Sequence, residues 1–363
     1  MAKGQGIAIV TLTRPGLQTA LQLAHSLSEG TTIFIPAGLA PSVRPEIWDQ
    51  LIVVSYSGPL SPFLGQIFHQ YRGLILVMAA GIAVRALSPH LVSKKADPAV
   101  VVVDVGGKYA ISLLSGHLGG ANELARRVAS LLGGQAVVTT ASEVQGLPPL
   151  DLVARELNMS VWPAAGFTKV MAALVNGETV ELLVEKPLLK FLEEALPSLR
   201  PRLLTGCPAG GEGRAGIMVT WRRLPLPGPR WVYWRPRVIS AGIGCRRGVP
   251  AGTILYALGL ALREAGLSRR SLAALASVDF KGEEPGLQRA AGRLGLQLLT
   301  FTPWQLAACM ERNPHLHRSE RVNRYIGIPG VCEPAAILAA GEGELIWPKM
   351  SYRGVTVALA RAK

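Results

Sequence analysis

Residues Leu113–Leu132 read LLSGHLGGANELARRVASLL. An apolar run ends at Ser115. Gly116, Gly119 and Gly120 then punctuate a turn that also holds His117, and from Ala121 the apolar residues recur at helical spacing. A strand handed through a glycine turn to an amphipathic helix is the building unit of α/β proteins. Val238–Gly248, VISAGIGCRRG, has the same design, and its expected helix entrance carries Cys245, Arg246 and Arg247.

The surrounding chain carries the pattern outward. GIAIVTL, TTIFIP, LIVVSY, GLILVMAA, PAVVVVDVG and QAVVTT are apolar runs separated by helical patterns such as GLQTALQLAHSLS and PLSPFLGQIFHQY. Continuous β-branched runs between helices predict mainly parallel strands covered on both faces. Gly106-Gly107 predicts a hairpin between VVVVDV and YAISLL. From about Ala141 the elements shorten and prolines accumulate, so Leu224–Pro236 reads as a semi-rigid linker. After Arg237 strands and helices alternate again, closing on a hairpin of ELIWPKM and VTVALAR. The expected fold is α/β: N-terminal and C-terminal three-layer α/β domains with mainly parallel sheets, joined by a smaller α/β middle domain. The expected bounds are 1–138, 139–234 (with the proline-rich linker) and 235–363.

Composition narrows the class of function. The 363 residues are 49% hydrophobic and 17% charged, a globular balance. The longest uncharged apolar run, Leu74–Val84, is far below the roughly 20 residues of a membrane span. No signal-peptide pattern opens the chain, so the expected location is cytoplasmic, with no membrane partner. Cys207, Cys245, Cys309 and Cys332 form no C-x-x-C pair and are expected to be reduced. The formal charge is +14, and from Arg235 onward 18 basic side chains face 9 acidic ones. Such a field favours anionic partners. There is no zinc-finger, RRM or KH signature and nucleic acid is not expected; a small polyanion and a merely solvated basic surface fit this charge equally well.

Within the first motif, His117 suits a general base or a hydrogen-bond donor, against the plainer reading of a turn-capping loop histidine. Gly119 and Gly120 offer N–H groups at a helix start, suited to an oxyanion. Glu123 lies in the first helical turn, where it also complements the dipole. Ser115 lacks a G-x-S-x-G elbow and is no nucleophile by pattern. In the second motif, arginines at a helix entrance are locally unfavourable unless an anion neutralises them. Cys245 is either a thiol activated by that field or, more simply, a small side chain closing the turn. VDFKGEEPG sets Asp279, Lys281, Glu283 and Glu284 where a strand gives way to a helix, and VCEPAA does the same with Cys332 and Glu333, the latter also readable as a helix cap. His315 and His317 have metal-pair spacing but no acidic or cysteine neighbour, so a solvated loop is favoured.

Taken together, SGHLGGANELA, AGIGCRRG, VDFKGEEPGL, VCEPAA and the terminal VTVALARAK resemble the CbiG family, the cobalt-precorrin 5A hydrolases of anaerobic cobalamin biosynthesis. The resemblance runs through nearly the whole chain in order. It implies a C-terminal part similar to CobE. It also implies an enzyme that opens the δ-lactone joining the ring A acetate to C-20 of cobalt-precorrin 5A and releases acetaldehyde, giving cobalt-precorrin 5B. On that reading His117 is the base and Glu123 its reserve, with Gly119, Gly120 and Asn122 as oxyanion donors. Ser115, Gly244, Cys245, Glu333 and the cations Arg246, Arg247 and Lys281 are assigned to the substrate. The partner is the anionic cobalt-containing tetrapyrrole, with other cobalamin-pathway enzymes as possible hand-over partners. No separate cofactor and no protein-bound metal are expected, since cobalt arrives inside the macrocycle. Two alternatives are a non-catalytic tetrapyrrole-binding or delivery protein of the same pathway, and a basic nucleic-acid-binding protein.

Overall fold

The computed structural model describes residues 6–27, 30–43, 51–93, 96–117, 119–206, 213–320, 323–324 and 327–363; Cys207 lies outside them. The chain divides into two compact units, Met1–Leu152 and Val153–Lys363.

The first unit is built on β1 (Ile7–Thr11), β2 (Thr31–Pro36), β3 (Ile52–Tyr56), β4 (Gly73–Val77), β5 (Ala99–Val103), β6 (Tyr109–Leu114) and β7 (Gln135–Val137), in the sheet order β3-β2-β1-β4-β5-β6-β7. β1 to β5 are parallel. β6 turns back antiparallel to β5, as the Gly106-Gly107 signal indicates, and β7 runs parallel to β6. β1, β4 and β5 are buried at every position.

Period-two geometry explains the unbroken apolar runs. Ile7, Ile9, Ile75, Val77, Val101 and Val103 pack on one side against helices Arg14–Leu27 and Ala121–Leu132. Their neighbours Ala8, Val10, Leu74, Leu76, Val100 and Val102 pack on the other side, against helices Leu60–Ile67 and Ala80–Leu87. Each fully buried Val, Leu or Ile contributes roughly 1.5–3 kcal/mol. Strand order reverses between β1 and β4, the usual position of an α/β crevice. The His117 turn follows the antiparallel β6 and so leaves from the opposite end of the sheet. There the Ser115 hydroxyl donates to the carbonyl of Asp97, just ahead of β5, at 3.0 Å.

The second unit holds two sheets. The first comprises β8 (Met159–Trp162), β9 (Val180–Val184), β10 (Arg202–Leu203), β11 (Ala215–Val219) and β12 (Trp231–Pro236), ordered β10-β9-β11-β12-β8 with β8 antiparallel to β12. The expected linker is corrected here. Its last six residues, WVYWRP, form the wholly buried strand β12, with Trp231 and Trp234 among the largest fully buried side chains. The apolar demand of that aromatic run outweighs the breaking tendency of the prolines, which end the strand at Pro236.

The other sheet comprises β13 (Ile239–Cys245), β14 (Leu272–Val278), β15 (Gln297–Phe301), β16 (Glu344–Tyr352) and β17 (Val355–Arg361), ordered β15-β14-β13-β17-β16. β16 and β17 form the expected hairpin. Helices Ala251–Glu264 and Pro285–Leu294 cover one face; helices Pro303–Arg312 and Cys332–Ala339 cover the other. Helix Cys332–Ala339 presses so closely on β13 that a Cβ at Gly242 would stand 1.8 Å from the Cys332 carbonyl oxygen. Only glycine permits that approach.

Candidate functional site

In the first unit the helix Ala121–Leu132 starts at left-handed Gly120 and ends at left-handed Gly133. Gly119 admits no side chain, since a Cβ there would lie 2.2 Å from that of Ser115. This tight turn carries His117, whose Nε2 lies 3.0 Å from the hydroxyl oxygen of Ser142. Its Nδ1 is buried without a hydrogen-bond partner and faces Glu143 Oε1 at 3.8 Å. Glu143 is in turn held by the amide of Asn122 at 2.6 Å and by the guanidinium of Arg126. Burial pulls the Glu143 carboxyl upward, but the hydrogen bonds from Asn122 and Arg126 and the neighbouring positive charge bring it below the usual carboxylate range. The result is a serine–histidine–carboxylate line, with the carboxylate anchored on its far side.

Several donors assigned from sequence are spent inside the protein. The Gly120 N–H donates to the His117 carbonyl at 2.9 Å, and the Asn122 N–H to that of Gly116 at 3.0 Å. The buried Asn122 side chain donates to Thr140 and Glu143 and accepts from Ser112. Asn122 is therefore a brace for Glu143 rather than an oxyanion donor, and the Ser115 hydroxyl likewise serves the turn. Glu123 is exposed on the first helical turn. Sequence reasoning missed Thr140, Ser142 and Glu143. Their T-x-x-E spacing matches a capping box, but Thr140 makes no side-chain cap bond.

In the second unit the ends of β13 and β14, the β16–β17 turn and the start of helix Cys332–Ala339 enclose a cavity of about 900 Å³. It gathers the residues singled out from the second motif set: Gly244, Cys245, Arg246, Arg247, Lys281 and Glu333. It adds Lys349 and Arg353, which hairpin alternation alone did not distinguish, and His317 from the expected solvated loop.

The arginines sit differently from expectation. Helix Ala251–Glu264 begins only after Gly248, in the left-handed region, and Pro250 have redirected the chain. Arg246 and Arg247 are exposed on the connecting loop, so the helix dipole is not what concentrates charge there. The Arg246 N–H instead anchors the hairpin turn through the Gly354 carbonyl at 3.0 Å.

Lys281 pairs with the buried Glu284 at 2.9 Å. Lys281 and the Gly248 N–H both donate to Glu284, outweighing burial and holding its carboxyl below the usual range. Glu333, the only acid among the described lining residues, is 4% exposed and does not cap its helix. Its two oxygens accept the backbone N–H groups of His317 at 2.6 Å and Lys349 at 2.9 Å, fastening two walls of the cavity. Burial above all raises the Cys245 thiol, with Lys281 only partly opposing, which favours the plainer reading of a small side chain closing the turn. Cys332 is pushed up to about 11 by burial. His315 and His317 join no group of three or more potential metal ligands among the described residues. The cavity thus presents a largely positive wall, with Arg246, Arg247, Lys281, Lys349 and Arg353 among its lining residues.

Three family models match in order: cobalamin synthesis G N-terminal over residues 62–143, cobalamin biosynthesis central region over 148–236, and cobalamin synthesis G C-terminus over 239–360. The chain belongs to the CbiG family. It is 32% identical to a cobalt-precorrin-5A hydrolase of Priestia megaterium, across 97% of this chain and 94% of that one. The enzyme of the same name from Salmonella typhimurium is 35% identical, across 99% of each. A crystal structure of CobE, from the cobalamin (vitamin B12) biosynthetic pathway, is 36% identical over 35% of this chain and 91% of its own, with a TM-score of 0.32. This CbiG protein is accordingly a hydrolase with a role in cobalamin biosynthesis, and its C-terminal part is similar to CobE. Among the described residues no helix is long and apolar enough to cross a membrane.

Proposed function

We propose that this CbiG protein hydrolyses the ring A acetate to C-20 δ-lactone of cobalt-precorrin 5A and releases acetaldehyde, leaving cobalt-precorrin 5B. The observation that carries the reading is its similarity, through nearly all of both chains, to hydrolases of that name. The cavity at the end of β13 agrees with such a substrate. Its volume lies within the range of small-molecule sites, and Arg246, Arg247, Lys281, Lys349 and Arg353 match a macrocycle rimmed with acetates and propionates. Cobalt enters as part of the substrate, and no separate cofactor is assigned.

His117 is the proposed base. Its Nε2 takes a proton from the attacking water, directly or through the Ser142 hydroxyl beside it, and the Glu143 carboxylate facing Nδ1 stabilises the imidazolium that results. The hydroxide formed from that water adds to the lactone carbonyl, the ring C–O bond breaks with a proton passing to the leaving oxygen, and the acetate returns as a carboxylate with an alcohol at C-20. That alcohol then loses its proton as the bond from C-20 to the macrocycle breaks. The electron pair stays with the macrocycle, where a proton replaces the fragment, and acetaldehyde departs.

The test is acetaldehyde release from cobalt-precorrin 5A by the wild type, His117→Ala and Arg246→Ala/Arg247→Ala. Release should collapse in the first variant and need more substrate in the second. A wild type that binds the tetrapyrrole without releasing acetaldehyde would make the chain a binding or delivery protein instead.

A further inference from the structure

A second basic feature of the Val153–Lys363 unit lies where β8 and β12 meet the turn Arg269–Ser271. Two cavities adjoin there. One, of about 500 Å³, is lined by residues including Trp162, Arg223, Tyr233 and Arg235; the other, of about 390 Å³, includes Ser160, Arg237 and Leu296. Arg269 and Arg270 belong to both. Five arginines therefore converge, and neither lining contains an acidic side chain among the described residues. Lysine and arginine side chains on an ordinary surface are dispersed among acids; five gathered without one repel each other unless an anion joins them.

Two of the five guanidiniums also lie over aromatic rings. The Arg235 guanidinium lies 3.7 Å from the Tyr233 ring centroid. Tyr233 stacks nearly parallel to Trp162, at 5.9 Å between ring centroids and 5° between planes. Arg270 completes the series, 5.3 Å from the Trp162 ring. Trp162 is 45% exposed, a flat aromatic shelf at the cavity wall. Arg235 is only 4% exposed and donates to the carbonyls of Thr220 and Arg222, which satisfy hydrogen bonds but supply no full negative charge. The nearby Glu185 is already engaged by Arg222 at 2.6 Å and by the Thr220 hydroxyl. Burial above all, with the Arg270 charge adding to it, pushes the Arg235 guanidinium down to about 10.

We propose that this seam binds a flat, π-bonded small molecule carrying at least two phosphate or carboxylate groups. The aromatic part of the ligand packs along the exposed edge of Trp162, beside the Arg270 guanidinium. One anionic group is held by Arg223 and Arg235, and another reaches across the Arg269–Arg270 ridge toward Arg237. Arginine is suited to both tasks, since its planar fork pairs with oxyanions and stacks on rings. None of these residues lines the cavity at the end of β13, so the inference is independent of the hydrolase mechanism.

Calorimetric titration of the full chain with ATP, uroporphyrin and inorganic triphosphate tests it, using wild type, Arg269→Gln/Arg270→Gln and Trp162→Ala. At least one flat probe should bind the wild type more tightly than triphosphate does. The arginine variant should weaken that probe by about tenfold or more. Trp162→Ala should weaken the flat probe while leaving triphosphate unchanged. Whichever of ATP and uroporphyrin binds identifies the source, nucleotide or tetrapyrrole. No binding by either, equal affinity for triphosphate, or an arginine variant indistinguishable from wild type would each overturn the proposal. Far-ultraviolet circular dichroism confirms folding of the variants.

Discussion

Gly242 faces the Cys332 carbonyl oxygen across a gap that leaves no room for a methyl group. The close seating of helix Cys332–Ala339 on β13 follows, and that helix carries Glu333 to the cavity. Gly242→Ala is therefore expected to destabilise the second unit by at least about 3 kcal/mol, because a strand and a helix backbone must separate. Urea denaturation followed by tryptophan fluorescence reads the loss; a change below about 1 kcal/mol would show that the helix can shift cheaply.

Removing the carboxylate of Glu333 orphans two backbone N–H groups, those of His317 and Lys349. Glu333→Ala should cost about 2–6 kcal/mol, as each unsatisfied buried donor costs about 1–3. Glu333→Gln keeps one acceptor oxygen and should fall between it and wild type. Equal stability of all three in denaturant would mean that water replaces the carboxylate.

Ser142 separates a relay from a bystander. With its hydroxyl 3.0 Å from His117 Nε2, Ser142→Ala should lower kcat by about 10²-fold or more with little change in KM, in the range of general acid–base contributions. If only KM changed, Ser142 would be a binding residue, and His117 would act on water unaided.

Acid should weaken both units. The Glu143 and Glu284 carboxyls are depressed in the folded state. Their stabilising contribution is thus fully present above the unfolded carboxylate value, about 4.3, and is lost as pH falls through the lower folded values. Urea midpoints should hold between pH 7 and 5 and fall below that. Glu284→Gln should lower the midpoint at pH 7 and flatten the acid limb; an acid limb as steep as that of wild type would assign the pH dependence elsewhere.

Local patterns revealed much of this molecule. The buried runs of β1, β4 and β5 and the glycines of both motifs sufficed for α/β units and for the residues gathered at the end of β13. Tertiary pairing was not legible. Nothing near His117 in the sequence points to Glu143, which arrives because β7 returns parallel to β6. Trp231–Pro236 was misread since proline count is local, whereas the burial of Trp231 and Trp234 depends on strands contributed from elsewhere. The placing of Arg246 and Arg247 at the entrance of helix Ala251–Glu264 fails for a similar reason: Gly248 and Pro250 redirect the chain between the arginines and the helix.

Two walls of the β13 cavity are tied to Glu333 by main-chain N–H groups, so the side chains of His317 and Lys349 carry no share of that fastening. They are replaceable parts on a fixed frame. Exchanging either side chain therefore alters the charge and shape of the cavity wall without removing a bond that holds the scaffold together.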